Sequence, residues 1–230
     1  MKQTKPPLIV AHRGSSKAEQ ENTIAAFARA RVDGAGMVEL DVRRTRVGEL
    51  VIHHDAAIDG LGNIVDLDHE ALPAYIPTLA DALDACVPMR VNIEIKNMPD
   101  DPDFDRSDRV AQQVEALLRE RGDGDRMLIS SFNFDTVAAI RRLDPLLATG
   151  LLFMVPTRTL RDVAAAGHVA IHPHHRAVNA DLVDQAHSFG LAVNTWTVDD
   201  PDRMRALAVL GVDAIITNVP AVAVQALGLQ

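Results

Sequence analysis

Met37-Val38-Glu39-Leu40-Asp41-Val42 is a short aliphatic, β-branched run interrupted by two acidic residues in step. A run of that length between turn signals reads as a buried strand. Runs of the same kind recur at residues 8–11, 91–96, 127–131, 149–153, 168–172, 191–195 and 213–217. Between them lie segments of helical periodicity, clearest where Val110, Val114, Leu117 and Leu118 fall at i, i+4, i+7 and i+8. That segment stops at Gly122, suited to a left-handed cap, and Gly190 and Gly211 sit where short helix-to-strand loops favour glycine. Strands alternating with helices predict an α/β fold, a parallel sheet with its helices outside. Eight such units in 230 residues fit a (β/α)8 TIM barrel, with a doubly wound open sheet as the rival. No Pro-, Gly- or Ser-rich linker divides the chain, so residues 1–230 are expected to form one domain. A hairpin turning at Val47-Gly48-Glu49 and rising through residues 50–54 is followed by an irregular stretch, residues 56–76. Its Asp59-Gly60-Leu61-Gly62-Asn63 turns mark it as a loop or short insertion after the His54-Asp55 strand, near the site.

The chain carries a net charge of −9, and no run of basic residues exceeds Arg43-Arg44. A nucleic-acid partner or an anionic membrane surface is therefore not expected, because the phosphate-neutralising stripe is missing. Apolar runs stay far short of the roughly 20 residues that a membrane span requires. Met1 to Pro7 has charges but no apolar core, so no secretory signal is expected. Cys86 is the only cysteine, which excludes an internal disulfide and fits a reducing, cytoplasmic setting.

Strands that line a barrel should be apolar on the inner face. Two break that rule alike. Glu39 and Asp41 stand two residues apart and so share a face, as do Glu94 and Lys96 in Val91-Asn92-Ile93-Glu94-Ile95-Lys96. Unpaired carboxylates are costly to bury, and they persist where a cation or hydrogen bonds replace the lost water. The plainer alternative, a solvated edge, fits one such pair better than two flanked alike by aliphatic residues. Three carboxylates and a lysine at a barrel mouth form a cage of hard oxygen ligands, which suits one divalent cation, Mg2+ or Ca2+, rather than zinc. His12 ends the first strand and His54 the hairpin strand, at the end of the sheet where barrel active sites gather. Imidazoles there are natural proton donors and acceptors near neutral pH. Arg13 is suited to a bidentate grip on anionic oxygens, with Gly14 letting the backbone approach them. Together these groups describe a site for an anionic phosphorus centre.

The residues His12-Arg13-Gly14, Glu21-Asn22-Thr23, Glu39-Leu40-Asp41-Val42, His54-Asp55, Ile76-Pro77-Thr78-Leu79 and Ile93-Glu94-Ile95-Lys96 follow one another in this order. Ser131-Phe132, Val193-Asn194-Thr195-Trp196-Thr197-Val198 and Gly211-Val212-Asp213-Ala214-Ile215-Ile216-Thr217 come after them. In order and spacing the set resembles the glycerophosphodiester phosphodiesterase family in its soluble bacterial form, over nearly the whole chain. The resemblance implies a (β/α)8 barrel in which Glu39, Asp41 and Glu94 bind a divalent cation. It implies that His12 and His54 are general acid and base, in an order left open, and that Arg13 and Lys96 contact the phosphate. Trp196 would line the pocket, and Glu21, beside a helix start capped by Asn22 or Thr23, lies within reach of the substrate. The implied reaction hydrolyses a small-molecule glycerophosphodiester to sn-glycerol 3-phosphate and an alcohol. A related barrel phosphodiesterase acting on lysophospholipids or phosphoinositides, and a non-catalytic phosphate-ester-binding barrel, are the alternatives. Neither the oligomeric state nor the alcohol is implied.

Three positions depart from the family pattern: Gln20 replaces its usual proline, residues 57–62 replace an Arg-Thr-Thr stretch, and Asn218 replaces an aspartate. The second puts head-group recognition at issue, because the loop is expected to border the site. His172-Pro173-His174-His175 looks like a metal cluster, but His174 and His175 are expected in a solvent-facing loop. His53 should face away from His54, and Ser131 lacks the partners a serine nucleophile needs.

Overall fold

The computed structural model describes residues 5–229; Gln230 and residues 1–4, on which part of the leader reading rests, lie outside it. In chain order the strands are β1 (Leu8–His12), β2 (Met37–Arg44), β3 (Leu50–Ile52), β4 (Ala57–Ile58), β5 (Gly62–Asn63) and β6 (Arg90–Ile95). After them come β7 (Met127–Ser131), β8 (Ala148–Phe153), β9 (Ala170–Pro173), β10 (Ala192–Thr195) and β11 (Ala214–Thr217). The helices are α1 (Ile24–Val32), α2 (Leu79–Ala85), α3 (Arg109–Arg121), α4 (Phe134–Leu143), α5 (Leu160–Ala165), α6 (Ala180–Ser188), α7 (Pro201–Leu210) and α8 (Pro220–Leu227). Strand β1 pairs in parallel with both β2 and β11, and the sheet runs between them through β6, β7, β8, β9 and β10. Eight parallel strands thus close on themselves. The open doubly wound sheet is excluded by the β1–β11 pairing.

Side-chain alternation sorts the strands. Val38, Leu40 and Val42 on β2 and Val91, Ile93 and Ile95 on β6 point outward into an apolar shell under the helices. Each such side chain contributes about 1.5–3 kcal/mol by leaving water. Their neighbours Glu39, Asp41, Asn92 and Glu94 therefore face the barrel interior, although buried. The shell forms two clusters, one over β2, β3, β6 and β7 with α1 to α4, the other over β8 to β11 with α5 to α8. The interior keeps only a small apolar cluster around Val10, Met37, Leu128, Ala214 and Ile216. Side-chain caps at Thr23, Thr78, Asn133, Thr159, Asn179 and Asp200 start six of the helices. Gly122 and Gly211 end α3 and α7 in the left-handed conformation, as expected.

Some boundaries differ from the sequence reading. Strand β9 begins at Ala170, because His168 turns aside to pair its Nδ1 with the Thr149 hydroxyl at 2.8 Å. Strand β3 runs antiparallel to the end of β2 and stops at Ile52, which leaves His54 in the loop beyond. Lys96 stands one residue past β6. Residues 56–76 are not a plain loop: they hold the β4–β5 hairpin and two short 3-10 turns. Ile58, Ile64, Leu72 and Ile76 of this stretch pack with Val51 into a small core of their own. The segment is thereby drawn against β3 rather than over the barrel mouth. No helix among the described residues is long and apolar enough to cross a membrane.

Candidate active site

The register of β2 and β6 sets Asp41 beside Glu94 and Glu39 beside Asn92, all on the inward side at the carboxyl end of the barrel. One carboxylate oxygen from each of Glu39, Asp41 and Glu94 lies within 4.8 Å of the others, and all three residues are buried. Two cations face them. Lys96 Nζ sits 2.9 Å from Asp41 Oδ1 and also touches Glu94 Oε1, and Arg13 Nε lies 3.1 Å from Asp41 Oδ2. Asn22 adds a hydrogen bond to the same Asp41 oxygen at 2.8 Å. Glu39 is differently placed. It accepts the Arg13 backbone N–H at 2.9 Å through Oε2, while its Oε1 is buried with no hydrogen-bond partner among the described residues. An orphaned carboxylate oxygen beside two further carboxylates fits a hard divalent cation.

The electrostatics follow from these contacts. Burial pushes the Glu39 carboxyl well above the usual range, and the neighbouring charges of Asp41 and Glu94 push the same way. Burial also raises Glu94 against the opposing pull of Lys96. Asp41 is buried too, but Lys96 and Arg13 together hold it below the usual range. The Lys96 ammonium, although desolvated, is held above its ordinary value by Glu94 and Asp41.

Two imidazoles flank this cage. His12 ends β1, and its Nδ1 lies 2.7 Å from Asn218 Oδ1. Asn218 in turn donates from Nδ2 to Asp199 at 2.7 Å. A carboxylate accepts only, so the amide oxygen must face His12 and accept from Nδ1–H, leaving Nε2 unprotonated. That nitrogen lies 4.0 Å from Glu39 Oε2. His54 Nδ1 pairs with Asp55 Oδ1 at 2.7 Å, and the His54 carbonyl accepts from Arg43 Nε at 2.9 Å. Arg43 is itself buried and fixed by two 2.8 Å bonds to Asp103. Burial lowers both imidazole pKa values, with Arg13 acting in the same sense on His12 and Lys96 on His54.

Above the cage opens a pocket of about 150 Å3 lined by His12, Arg13, Glu39, His54, Asn92, Glu94 and Lys96 on one side. Phe132, Leu152, Trp196 and Ile216 form an apolar wall on the other. Trp196 spends its one polar hydrogen on the His172 carbonyl at 2.7 Å and stacks edge-on with Phe132, so it offers the pocket only its ring.

The sequence matches the Glycerophosphoryl diester phosphodiesterase family over residues 12–222. The chain belongs to this family. It is 31% identical to the glycerophosphodiester phosphodiesterase of Caldanaerobacter subterraneus, across 93% of this chain and 94% of that protein. Among solved structures, the glycerophosphodiester phosphodiesterase of Parabacteroides distasonis superposes with a TM-score of 0.87 at 25% identity, covering 98% of both chains. An Oleispira antarctica phosphodiesterase in complex with the product sn-glycerol-3-phosphate gives a TM-score of 0.88 at 24% identity, covering 97% of both chains. The two solved structures share the fold of this chain.

The fold brings His12, Arg13, Glu39, His54, Glu94, Lys96 and Trp196 to one pocket, with Asp41 beneath it. Glu21 lies behind Arg13, accepting from its Nη1 at 2.9 Å, and does not line the pocket. With Nε 3.1 Å from Asp41 and Nη1 on Glu21, Arg13 keeps Nη2 unbonded among the described residues. Gly14, at φ +79°, approaches α1 so closely that a Cβ would lie 2.6 Å from the Ala26 carbonyl carbon. Residues 57–62 line neither the pocket nor the cavity next to it, which Ala56 just before them reaches. His174 packs edge-on against Trp196, and no metal-binding group forms around it among the described residues. Sequence reasoning missed three asparagines, Asn22, Asn92 and Asn218, and the Arg43–Asp103 pair. Only Asn92 carried a usable signal, sharing the inward phase of Glu94 and Lys96 two residues apart.

Proposed function

We propose that the chain hydrolyses glycerophosphodiesters to sn-glycerol 3-phosphate and an alcohol, using His12 and His54 as general acid and base. The observation that carries this is the convergence of three buried carboxylates, two partly buried cations and two oriented imidazoles on one pocket at the carboxyl end of the barrel. Glu39, Asp41 and Glu94 are the ligands for one divalent cation, Mg2+ or Ca2+. Bound there, such an ion supplies positive charge to stabilise the phosphoryl oxygens as the transition state forms.

The remaining work falls to the protein. With all three carboxylates ionised against Lys96 and Arg13 the cage is net negative, so an anionic diester gains little until cation binding reverses the local field. Lys96 and the free amino group of Arg13 then orient the phosphate. One imidazole removes a proton from the nucleophile while the other protonates the departing alcohol oxygen. The carboxylate of Asp55 and the amide of Asn218 hold the two rings at Nδ1, so that Nε2 is the proton-transferring atom on each. Burial keeps both rings neutral at pH 7, which suits a base outright and requires the acid to take up its proton with substrate. The pocket is small, which favours a short glycerol arm over an acyl chain. The assignment extends to a cytoplasmic protein whose residues 1–230 act as one domain.

The test is release of glycerol 3-phosphate from glycerophosphocholine and glycerophosphoethanolamine with Mg2+, with Ca2+ and with EDTA. EDTA-sensitive release is expected. No release from folded, cation-loaded protein would refute the reading and shift attention to lysophospholipid or phosphoinositide esters.

A further inference from the structure

Asn92 lies on β6 one inward position below Glu94, opposite Glu39 across the pair with β2. It is 1% exposed, and neither its Nδ2 nor its Oδ1 has a hydrogen-bond partner among the described residues. Yet it lines the pocket, where it is the one amide among the lining groups. On the adjacent β7, Ser130, which pairs with Glu94, is likewise buried with an orphaned hydroxyl. An amide shut away from water with both ends unmet is costly by roughly 2–7 kcal/mol, and buried polar groups of this kind mark a place where a ligand or water completes the bonding.

The apolar residues that line the same pocket narrow the choice of ligand. Leu152 and Ile216 are apolar, and the Trp196 N–H is already committed. The matching group therefore presents carbon to those residues and, at one edge, adjacent polar atoms that both donate and accept. A vicinal diol does this: one hydroxyl accepts from Nδ2–H while its neighbour donates to Oδ1.

We infer that Asn92 is a specificity-determining residue that reads the two free hydroxyls of the glycerol arm and so selects 1,2-diol phosphate esters. The assignment deepens the proposed function and rests on its placing of the glycerophosphate arm in this pocket. A buried site built to hydrogen-bond a hydroxyl penalises the analogue that lacks it, because its polar atoms are then left unpaired.

The test is calorimetric titration of the Ca2+-loaded protein with sn-glycerol 3-phosphate and with propane-1,2-diol phosphate, which lacks only the terminal hydroxyl. The native protein should prefer the former by about 10- to 100-fold, the range for one hydrogen bond lost in a buried site. In Asn92→Leu, close in shape but without polar atoms, the ratio should fall to within about threefold of unity, and the thermal midpoint should not drop, since an apolar side chain is better matched to that burial. Asn92→Asp, which keeps an acceptor and loses the donor, should give an intermediate ratio. A ratio preserved in Asn92→Leu, or equal weakening of both phosphates, would overturn the assignment in favour of a merely water-filled floor. A native protein that binds neither phosphate would instead overturn the placing of the arm, and with it the role of Asn92.

Discussion

Replacing Lys96 by methionine removes one positive charge from the cage while keeping the side-chain volume. In the cation-free protein, Asp41 retains Arg13 Nε at 3.1 Å and the Asn22 amide at 2.8 Å, but Glu94 loses its one ionic partner among the described residues. Removing one member of a buried ion pair typically costs about 3–5 kcal/mol. At roughly 2–4 °C per kcal/mol for a chain of this size, the thermal midpoint in EDTA should fall by about 6–20 °C. The loss has a definite pH sense. A Glu94 left without Lys96 has a carboxyl raised further above its unfolded value, so its protonated form is tolerated at low pH and its contribution is lost as pH rises through the raised value. The deficit should therefore be larger at pH 7 than at pH 4. A saturating divalent cation gives about 2.7 kcal/mol at one hundred times its dissociation constant. It should stabilise Lys96→Met more than the native chain, because the cage has become more negative, while turnover stays low for want of the phosphate contact. Scanning calorimetry with EDTA and with Ca2+ measures both. A cation-free loss under about 1 kcal/mol, or a smaller cation effect in the variant than in the native protein, would refute the account of the cage.

Glu94→Ala should abolish cation-dependent turnover with the circular dichroism spectrum unchanged, and retained activity would dismiss the three-carboxylate site. His54→Ala should still bind Ca2+ and glycerol 3-phosphate, yet lose roughly 10²- to 10⁴-fold in kcat, the usual contribution of a general acid or base. His172, buried and accepting from Asn194, is pushed down to about 3 by burial, so its stabilising effect is full above the ordinary value of 6.5 and is lost as pH falls from there. At pH 5 this amounts to about 2 kcal/mol. His172→Gln, which keeps an acceptor but cannot titrate, should flatten the fall in urea midpoint between pH 7 and pH 5.

The carboxylate cage was legible because acidic residues two apart in aliphatic strands violate a period that otherwise governs every barrel strand. The eight units were legible for the same reason. What stayed hidden depends on pairings that no local period encodes. Asn22 reads as a helix cap, and only the fold sets it against Asp41. Asn218 meets His12 across 206 residues of sequence. Arg43 looks like half of an exposed basic doublet, yet it is buried on Asp103 and holds the His54 carbonyl. Residues 56–76 were read as bordering the mouth because they follow His54, whereas their scattered aliphatics, too irregular to signal a strand, draw them onto β3.

The two halves of the apolar shell divide the labour of change. All three cation-binding candidates, together with Lys96 and His54, stand on or beside strands of the half spanning β2 to β7, while Leu152, Trp196 and Ile216 come from β8 to β11. A lineage, or a laboratory library, can therefore redraw the wall that meets the substrate's carbon skeleton by drifting through one half-barrel. The cation site, Lys96 and His54, packed in the other half, are inherited intact so long as Asn218, just past β11, keeps its hold on His12.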